Sequence, residues 1–224
     1  MSETLEFDGL NYQEKKKPFM TNIILIITCV ISFLAFQNHS ILDKLIFSPY
    51  LIRQKQEWYR FFSSGLIHAD WFHLIVNMFV LFTFGRAVED YFNALFGSRA
   101  TVNFLLLYVG GLGMSILPTF SKEKNNPAYH ALGASGAVSA VVFSFILFNP
   151  LQRLCFYGIL CLPGIIFGVL YLIYCYYMGK KGGDRINHDA HLWGALYGFF
   201  FTILLKPSLV ISFFDQLIYF RNAI

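Results

Sequence analysis

Six long apolar stretches, separated by more polar segments, dominate the hydrophobic pattern of this chain. A helix rises about 1.5 Å per residue and needs about 20 apolar residues to cross a bilayer, a length that these stretches reach or approach. The shorter ones are tolerable where a helix is buried among others or the bilayer thins locally. The stretches run from Met20 to Phe36, Phe72 to Val88, Val102 to Leu117, Gly133 to Phe148, Leu154 to Met178 and Ala190 to Leu205. The pattern predicts an all-α, polytopic membrane protein with a six-helix transmembrane bundle.

Two further segments are rich in apolar residues without being predicted spans. Gln37 to Trp71 is too long for a bare connection, because unstructured loops beyond about 15 residues are uncommon in compact domains. We expect a structured segment that lies partly in the membrane interface and is anchored by its aromatic side chains. In Leu209 to Phe220 the polar residues recur at helical spacing, at Ser212, Asp215, Gln216 and Tyr219. This amphipathic segment is expected to lie on the membrane surface or to dock on the bundle.

The composition supports a membrane protein. Of the 224 residues, 56% are hydrophobic and 13% are charged, whereas soluble domains carry about 25% charged residues. The net charge of +4 is spread over the loops, so no nucleic-acid partner is expected. Lys15-Lys16-Lys17 precedes the first span and favours a cytoplasmic amino terminus, while the basic residues of the other loops are nearly balanced between the two sides.

These observations predict the location and the layout of the chain. Met20 to Phe36 is followed by no small-residue cleavage site, so the first span is expected to be retained rather than removed as a signal peptide. We expect a multi-pass protein of the plasma (inner) membrane. Residues 1–18 would form a cytoplasmic tail, residues 19–206 the membrane domain, and residues 207–224 an amphipathic tail.

The cysteines and tyrosines within the apolar stretches receive structural interpretations. Four cysteines lie in apolar surroundings, which favours buried, reduced thiols over a disulfide framework or a metal site. They are Cys29, Cys155, Cys161 and Cys175. The fifth span ends in tyrosines whose polar tips suit the headgroup region, so we expect an interfacial belt. They are Tyr171, Tyr174, Tyr176 and Tyr177.

Polar side chains inside the predicted spans are the candidate chemistry, because they are costly in lipid. Membrane helices alternate in direction, so the second, fourth and sixth spans enter from the same side. His73 is the second residue of its span, Ser135 the third and His191 the second. The three side chains are therefore expected at one depth, about one turn below the same surface.

A hydroxyl and an imidazole at one depth predict nucleophilic catalysis. A serine becomes nucleophilic when a base takes its proton, and histidine does so near neutral pH. Small residues beside Ser135 and His191 would let the two helices approach closely. They are Gly133, Gly136, Gly194 and Gly198.

Acyl transfer also needs donors aimed at the developing oxyanion. The first turn of a helix offers backbone N–H groups without partners and the positive end of the helix dipole, which favours the backbone of Ser135. His73 and Asn77 stand four residues apart on one helix face, so both side chains point toward the same place. We expect these three groups to stabilise the oxyanion.

This set of motifs resembles the rhomboid family of intramembrane serine proteases. The matching features are His73-x-x-x-Asn77, Gly133-Ala134-Ser135-Gly136, Ala190-His191-x-x-Gly194-x-x-x-Gly198, Trp58-Tyr59-Arg60-Phe61-Phe62, Leu66-Ile67-His68 and Glu89. The resemblance implies a rhomboid-type bundle and a Ser135/His191 dyad that cleaves peptide bonds in or next to transmembrane segments. It implies transmembrane protein substrates and the lipid bilayer as partners and no cofactor, and it leaves the oligomeric state open.

The sequence departs from the family pattern at two positions. Tyr59 interrupts the expected Trp-Arg pair, and Ser139 stands where some relatives carry an aromatic ring that supports the catalytic histidine. Among the other histidines, His188 is within reach of His191. We expect His68 to satisfy loop backbone groups, His39 and His130 to be loop residues, and Asp189 to face away from His191.

Three alternatives to proteolysis are less consistent with the sequence. A noncatalytic protein of the same fold that binds and escorts transmembrane helices would be expected to lose Ser135 or His191, and the chain keeps both. A transporter would need polar groups that continue to the other membrane surface, where the spans are apolar. His188, His191 and His73 would make a weak zinc site because no carboxylate or cysteine cluster supports it, so no metal is expected.

Overall fold

Helices make up most of the chain in this computed structural model, which describes residues 19–156, 160–184 and 186–223. The predicted tail at residues 1–18 lies outside the described residues. The elements are α1 (Met20–Gln37), α2 (His39–Leu45), α3 (Pro49–Lys55), α4 (Arg60–Ser63), α5 (Trp71–Val80), α6 (Arg86–Phe96), α7 (Ala100–Glu123), α8 (Ser135–Phe148), β1 (Arg153–Phe156), β2 (Leu160–Pro163), α9 (Gly164–Lys181), α10 (His188–Leu205) and α11 (Leu209–Ala223). Single 3-10 turns cover Ser64–Leu66 and Gly97–Arg99, and a π-helical turn, Leu81–Gly85, joins α5 to α6.

Helices cover nearly all of five of the six predicted stretches, and those at the second and third continue past the predicted ends, to Phe96 and Glu123. By length and hydropathy, α1 and the helical stretch Trp71–Glu123 meet the requirements of a membrane span. The pair α10 and α11, which is bent by 111° after Leu205, would count as a third if taken together, and α8 is apolar but shorter. The structure thus supports a polytopic helical protein.

The prediction of one span from Leu154 to Met178 was wrong at the residues that form β1 and β2. Strands β1 and β2 form an antiparallel hairpin there, and α9 begins only at Gly164. Pro163 explains the break, because proline has no N–H to donate inside a helix and forces the preceding residue into an extended conformation. The fold is therefore all-α except for this hairpin.

The hairpin also corrects the prediction for two of the cysteines. Its register places Cys155 opposite Cys161, and the two form a disulfide. The sequence pattern concealed this pairing because both residues were assigned to one continuous helix. Cys29 and Cys175 are free thiols, as predicted, but Cys29 is exposed on α1 and only Cys175 is buried.

Helix α8 is the centre of the bundle. Every residue from Gly136 to Leu147 is buried, which explains why its sequence is apolar on all sides. Two glycines of α10 lie directly against its backbone. A Cβ atom on Gly194 would stand 2.1 Å from the carbonyl oxygen of Gly136, and one on Gly198 would stand 2.0 Å from that of Ala140. The Gly-x-x-x-Gly motif therefore serves close helix packing, as predicted.

The segment between α1 and α5 is structured, as predicted. Phe47 exchanges backbone hydrogen bonds with Ala131, and its ring is buried. Arg60 is buried and donates to the Glu57 carboxylate (2.6 Å) and to the carbonyl oxygens of Asp43 (2.8 Å) and Ile46 (2.7 Å). The inserted Tyr59 therefore leaves the arginine anchor of this segment in place.

Two polar contacts hold the first and the last helix of the chain against the bundle. The buried Glu89 carboxylate accepts hydrogen bonds from the backbone N–H groups of Phe19, Met20 and Thr21 at 2.7–3.0 Å, so α6 caps the start of α1. At the other end of the chain, Gln216 of α11 donates to the carbonyl oxygen of Phe148 at 3.2 Å. The amphipathic tail thus docks on the bundle; the side chain of Tyr219 lies outside the described residues.

Replacing Gly198 by alanine is expected to destabilise the fold. The new methyl group would overlap the α8 backbone at Ala140, which cannot rotate away, and such overpacking costs about 1–3 kcal/mol. Gly113→Ala is the matched control, because a Cβ there would meet only Phe62 at 3.4 Å and alanine favours helix by up to about 1 kcal/mol. Thermal unfolding in detergent measures both. Equal melting temperatures for the two variants would contradict the close approach of α8 and α10.

Candidate active site

Ser135 is the first residue of α8 and follows a turn that requires glycine. Gly133 has φ +114°, a value that residues with a side chain rarely adopt. A Cβ atom on Gly133 would also stand 2.6 Å from Cε1 of His73. The chain entering α8 therefore runs directly against the His73 ring, so the structure brings together the predicted second-span and fourth-span residues.

The backbone at the start of α8 has free donors. Ala134, which precedes the helix, provides no side-chain cap. Within the part of the chain that the structure describes, no acceptor pairs with the N–H of Ser135. Because the first N–H groups of a helix also lie at the positive end of its dipole, this position favours a bound anion.

The close approach of α8 and α10 places Ser135 beside the start of α10. A Cβ atom on Gly136 would stand 3.3 Å from the carbonyl oxygen of Ala190. Ser135 and His191 are the sequence neighbours of this contacting pair, so both lie at the same end of the bundle. Both side chains are partly exposed. Within the described residues, no hydrogen bond joins them.

His191 is supported by a residue that the sequence analysis assigned to the interfacial belt. The Tyr171 ring from α9 lies parallel to His191, with 6.3 Å between ring centroids and 14° between planes. The Tyr171 hydroxyl is hydrogen bonded to Ser139 Oγ at 2.7 Å. The belt interpretation was therefore wrong for Tyr171, although the side chains of Tyr174, Tyr176 and Tyr177 are exposed.

A sequence signal for Tyr171 did exist. It stands three residues after Gly168 and four before Cys175, both of which are buried, so all three share one face of α9. The second signal was Ser139, which stands where some relatives carry an aromatic ring. A small side chain there leaves room for an aromatic ring from a neighbouring helix.

Asn77 is buried beside His73 on α5. Its Nδ2 donates to the carbonyl oxygen of His73 at 2.9 Å, which leaves the second amide hydrogen available. Asp70 caps the start of this helix, and its carboxylate accepts from the His73 N–H at 2.8 Å. This cap fixes the first turn of α5 and with it the position of the His73 ring.

His68 holds the turn before Ser135 in place. Its Nδ1 lies 2.9 Å from Ser32 Oγ, and its Nε2 accepts from the Ala134 N–H at 3.4 Å. Ser32 Oγ donates to the Leu66 carbonyl oxygen, so it must accept from His68, which assigns the proton to Nδ1. His68 therefore satisfies loop backbone groups, as predicted, and it also contacts His73 edge to face at 4.9 Å.

The remaining charged residues near His191 do not complete a carboxylate triad. Asp189 lies 3.9 Å from Lys122 and against Gly179, so it faces away from His191, as predicted. His188 contacts the His191 ring edge to face at 6.0 Å, and Asp184 accepts from its Nε2 at 2.9 Å. His130 is an exposed loop residue, as predicted, whereas His39 begins α2.

Several known proteins are similar to this chain. Residues 55–208 match the rhomboid domain. The chain is 27% identical over 195 residues to the rhomboid protease GlpG of Haemophilus influenzae, which covers 84% of this chain and 93% of that protein. It is 31% identical over 166 residues to the mitochondrial presenilin-associated rhomboid-like protein A of Danio rerio, covering 69% of this chain and 41% of that protein.

A plant protein extends this comparison. The chloroplastic rhomboid-like protein 11 of Arabidopsis thaliana is 27% identical over 176 residues, covering 71% of this chain and 56% of that protein. The chain thus spans about half the length of the mitochondrial and chloroplastic relatives.

Lowering the pH is expected to destabilise the fold through His68. Burial, reinforced by the nearby His73, lowers the pKa of His68 to about 3, whereas an unfolded histidine has a pKa of about 6.5. The unfolded chain therefore takes up a proton below pH 6.5 that the folded chain rejects until about pH 3. Between pH 7 and pH 5, this linkage removes about 2 kcal/mol of stability.

Thermal unfolding of wild type and His68→Asn at both pH values measures this contribution. The variant should lose less stability over the same pH range, even if it is less stable at pH 7. His39→Asn, at an exposed histidine, is the control and should follow wild type. Parallel pH profiles for wild type and His68→Asn would show that His68 carries no such linkage.

Proposed function

The chain belongs to the rhomboid family, and from this premise we propose that it is an intramembrane serine protease. Ser135 is the nucleophile and His191 is the general base and acid. The observation that supports the proposal is the close approach of Gly136 to Ala190, because these residues are the sequence neighbours of Ser135 and His191. Catalytic hydrogen bonds are often long or absent before a substrate binds, so the open Ser135–His191 geometry is compatible with this role.

The proposed reaction needs only groups of the protein and water. Ser135 Oγ attacks the carbonyl carbon of the scissile peptide bond while His191 takes the hydroxyl proton. His191 then gives this proton to the departing amine, which leaves an ester on Ser135. A water molecule, deprotonated by His191, hydrolyses the ester and releases the new carboxyl terminus.

The oxyanion is expected to bind among the Ser135 N–H, the His73 ring and the Asn77 amide. The free backbone N–H and the contact of His73 with Gly133 support this assignment. Asn77 is buried and keeps one uncommitted amide hydrogen. Donors fixed before the reaction stabilise developing charge without having to reorganise.

We further infer that the substrates are transmembrane proteins cut in or next to their membrane segments. Helical carbonyl groups are hydrogen bonded and shielded, so cleavage should favour small or helix-weakening residues near the scissile bond. Asp70, Ser135 and His188 lie at one end of the bundle, and six crossings by α1, α5–α6, α7, α8, α9 and α10 would bring that end to a single membrane face.

The topology proposal extends to the rest of the chain. Residues 1–18 would be a cytoplasmic tail of a plasma (inner) membrane protein, residues 19–206 the membrane domain, and residues 207–224 the docked tail. The hairpin of β1 and β2 would then face the cytoplasm. A noncatalytic helix-binding role is the second candidate, because Ser135 and His191 are not hydrogen bonded in this structure.

Ser135→Ala and His191→Ala are each expected to abolish cleavage of a reconstituted transmembrane substrate. The first removes the nucleophile and the second the base, and losses of a nucleophile or base reach about 10⁶-fold in other serine proteases. A serine-directed phosphonate probe should label wild type and leave Ser135→Ala unlabelled. Ser121→Ala and His130→Ala, at exposed positions, are the controls. Full activity in either dyad variant would exclude the dyad.

Asn77→Ala is expected to lower kcat about 10²- to 10³-fold with little change in KM, the effect of losing one oxyanion donor. The hydrogen bond to His73 makes a folding defect the competing explanation, so thermal unfolding and substrate binding are measured on the same preparation. A variant that binds substrate and unfolds like wild type but turns over slowly supports the assignment. An unchanged kcat would remove Asn77 from the site.

A further inference from the structure

Three side chains from two helices converge behind the catalytic histidine. Cys175 of α9 and His188 and His191 of α10 each direct one possible ligand atom to a common place, and these atoms lie within 4.8 Å of one another. Around a tetrahedral zinc ion, with Zn–N of about 2.1 Å and Zn–S of about 2.3 Å, ligand atoms are about 3.5 Å apart. Shifts of about 1 Å in the side chains would close this difference. Spacing along the sequence pairs His188 with His191 but does not reveal Cys175, because Cys175 stands on another helix.

His188 has the arrangement of a metal-ligating histidine. Its Nε2 is hydrogen bonded to the Asp184 carboxylate at 2.9 Å, and its ring is 3% exposed. Its Nδ1 is buried without a hydrogen-bond partner in the described part of the chain. Histidines that bind metals commonly donate the N–H of one ring nitrogen to a carboxylate, which leaves the other nitrogen free for the ion. An unpaired nitrogen in such a place otherwise represents a lost hydrogen bond.

The charges of the group suit a divalent cation. A bound Zn²⁺ displaces the thiol proton of Cys175 to the solvent, and both imidazoles bind as neutral ligands. The thiolate and the Asp184 carboxylate then balance the two positive charges, so the assembly is neutral overall. Sulfur and imidazole ligands favour zinc over magnesium or calcium, which prefer oxygen. Water would complete the fourth position.

We propose that Cys175, His188 and His191 bind Zn²⁺, with Asp184 orienting His188. The ion takes the lone pair that His191 would use to activate Ser135, so zinc inhibits the enzyme reversibly. Metal binding stands independently of the proposed function, whereas inhibition rests on it. The ion is an inhibitor in this proposal, and the peptidase reaction itself requires none.

Cobalt is the probe for binding, because Co²⁺ bound by a thiolate gives a charge-transfer absorption band that does not depend on proteolysis. The full chain carrying Ser135→Ala, Cys155→Ser and Cys161→Ser keeps only the thiols of Cys29 and Cys175. It should bind one Co²⁺ with a thiolate band, and Zn²⁺ should displace it. Adding Cys175→Ser should abolish the band, whereas Cys29→Ala should leave it intact. Adding Asp184→Asn should weaken binding about 10- to 100-fold.

Inhibition is then measured on the active protein. Zn²⁺ should inhibit wild type and Cys29→Ala, and a chelator should restore activity. Cys175→Ser should keep its basal activity and need at least about 10-fold more zinc, with unchanged thermal unfolding as the test of folding. No thiolate band in the first experiment, or equal inhibition of Cys175→Ser and wild type, would overturn the proposal. A cobalt band with no peptidase activity in any protein would uphold the site and overturn the proposed function.

Discussion

The close contact between the backbones of α8 and α10 determines most of this structure. Gly194 and Gly198 face the carbonyl oxygens of Gly136 and Ala140 with no room for a methyl group. Helix pairs in membranes associate through such packing because lipid supplies no hydrophobic driving force between them. The contact also fixes the relative height of the two helices, so the first residues of α8 meet the first turn of α10. The position of Ser135 relative to His191 follows from this packing.

The same contact limits how His191 can be held. Because α8 presents small residues to α10, a ring that stacks on His191 has to come from another direction, and α9 provides Tyr171. Its hydroxyl is bound by Ser139, at the position where an aromatic side chain would fill the space that Tyr171 occupies. The small residue at 139 and the tyrosine at 171 are therefore two parts of one arrangement. A change at one of them alone would leave either a void or an overlap.

The sequence predicted the parts of the fold that depend on local pattern. The long apolar stretches located α1, α7, α8 and α10, and the glycine spacing predicted the close contact between α8 and α10. The pattern failed at the hairpin, because short apolar strands cannot be told from a helix by periodicity alone and only Pro163 marks the break. It also missed Tyr171 and Cys175, because spacing along α9 places both on one face of that helix but does not show which residues of α8 and α10 this face meets.

The absence of a carboxylate behind His191, among the described residues, has a chemical consequence. In the proposed reaction, the imidazolium and the oxyanion appear in the same step, a few ångströms apart. Opposite charges separated by 4 Å attract by about 4 kcal/mol at an effective dielectric constant of 20. The two charges therefore stabilise each other, and the backbone donors at the start of α8 add to this effect. Asp184 does not take the place of the missing carboxylate, because it binds His188 rather than His191.

A histidine whose ring nitrogens bind no carboxylate is also free to bind a metal ion. Within the described part of the chain no acid occupies a ring nitrogen of His191, so its lone pairs serve whichever partner reaches them first, the Ser135 proton or a cation. The nearby thiol and the carboxylate-oriented His188 favour a thiophilic cation in that competition. The arrangement that lets His191 act as a base without a third residue thus leaves the same imidazole open to metal, and the proposed catalysis and its proposed inhibition share one structural cause.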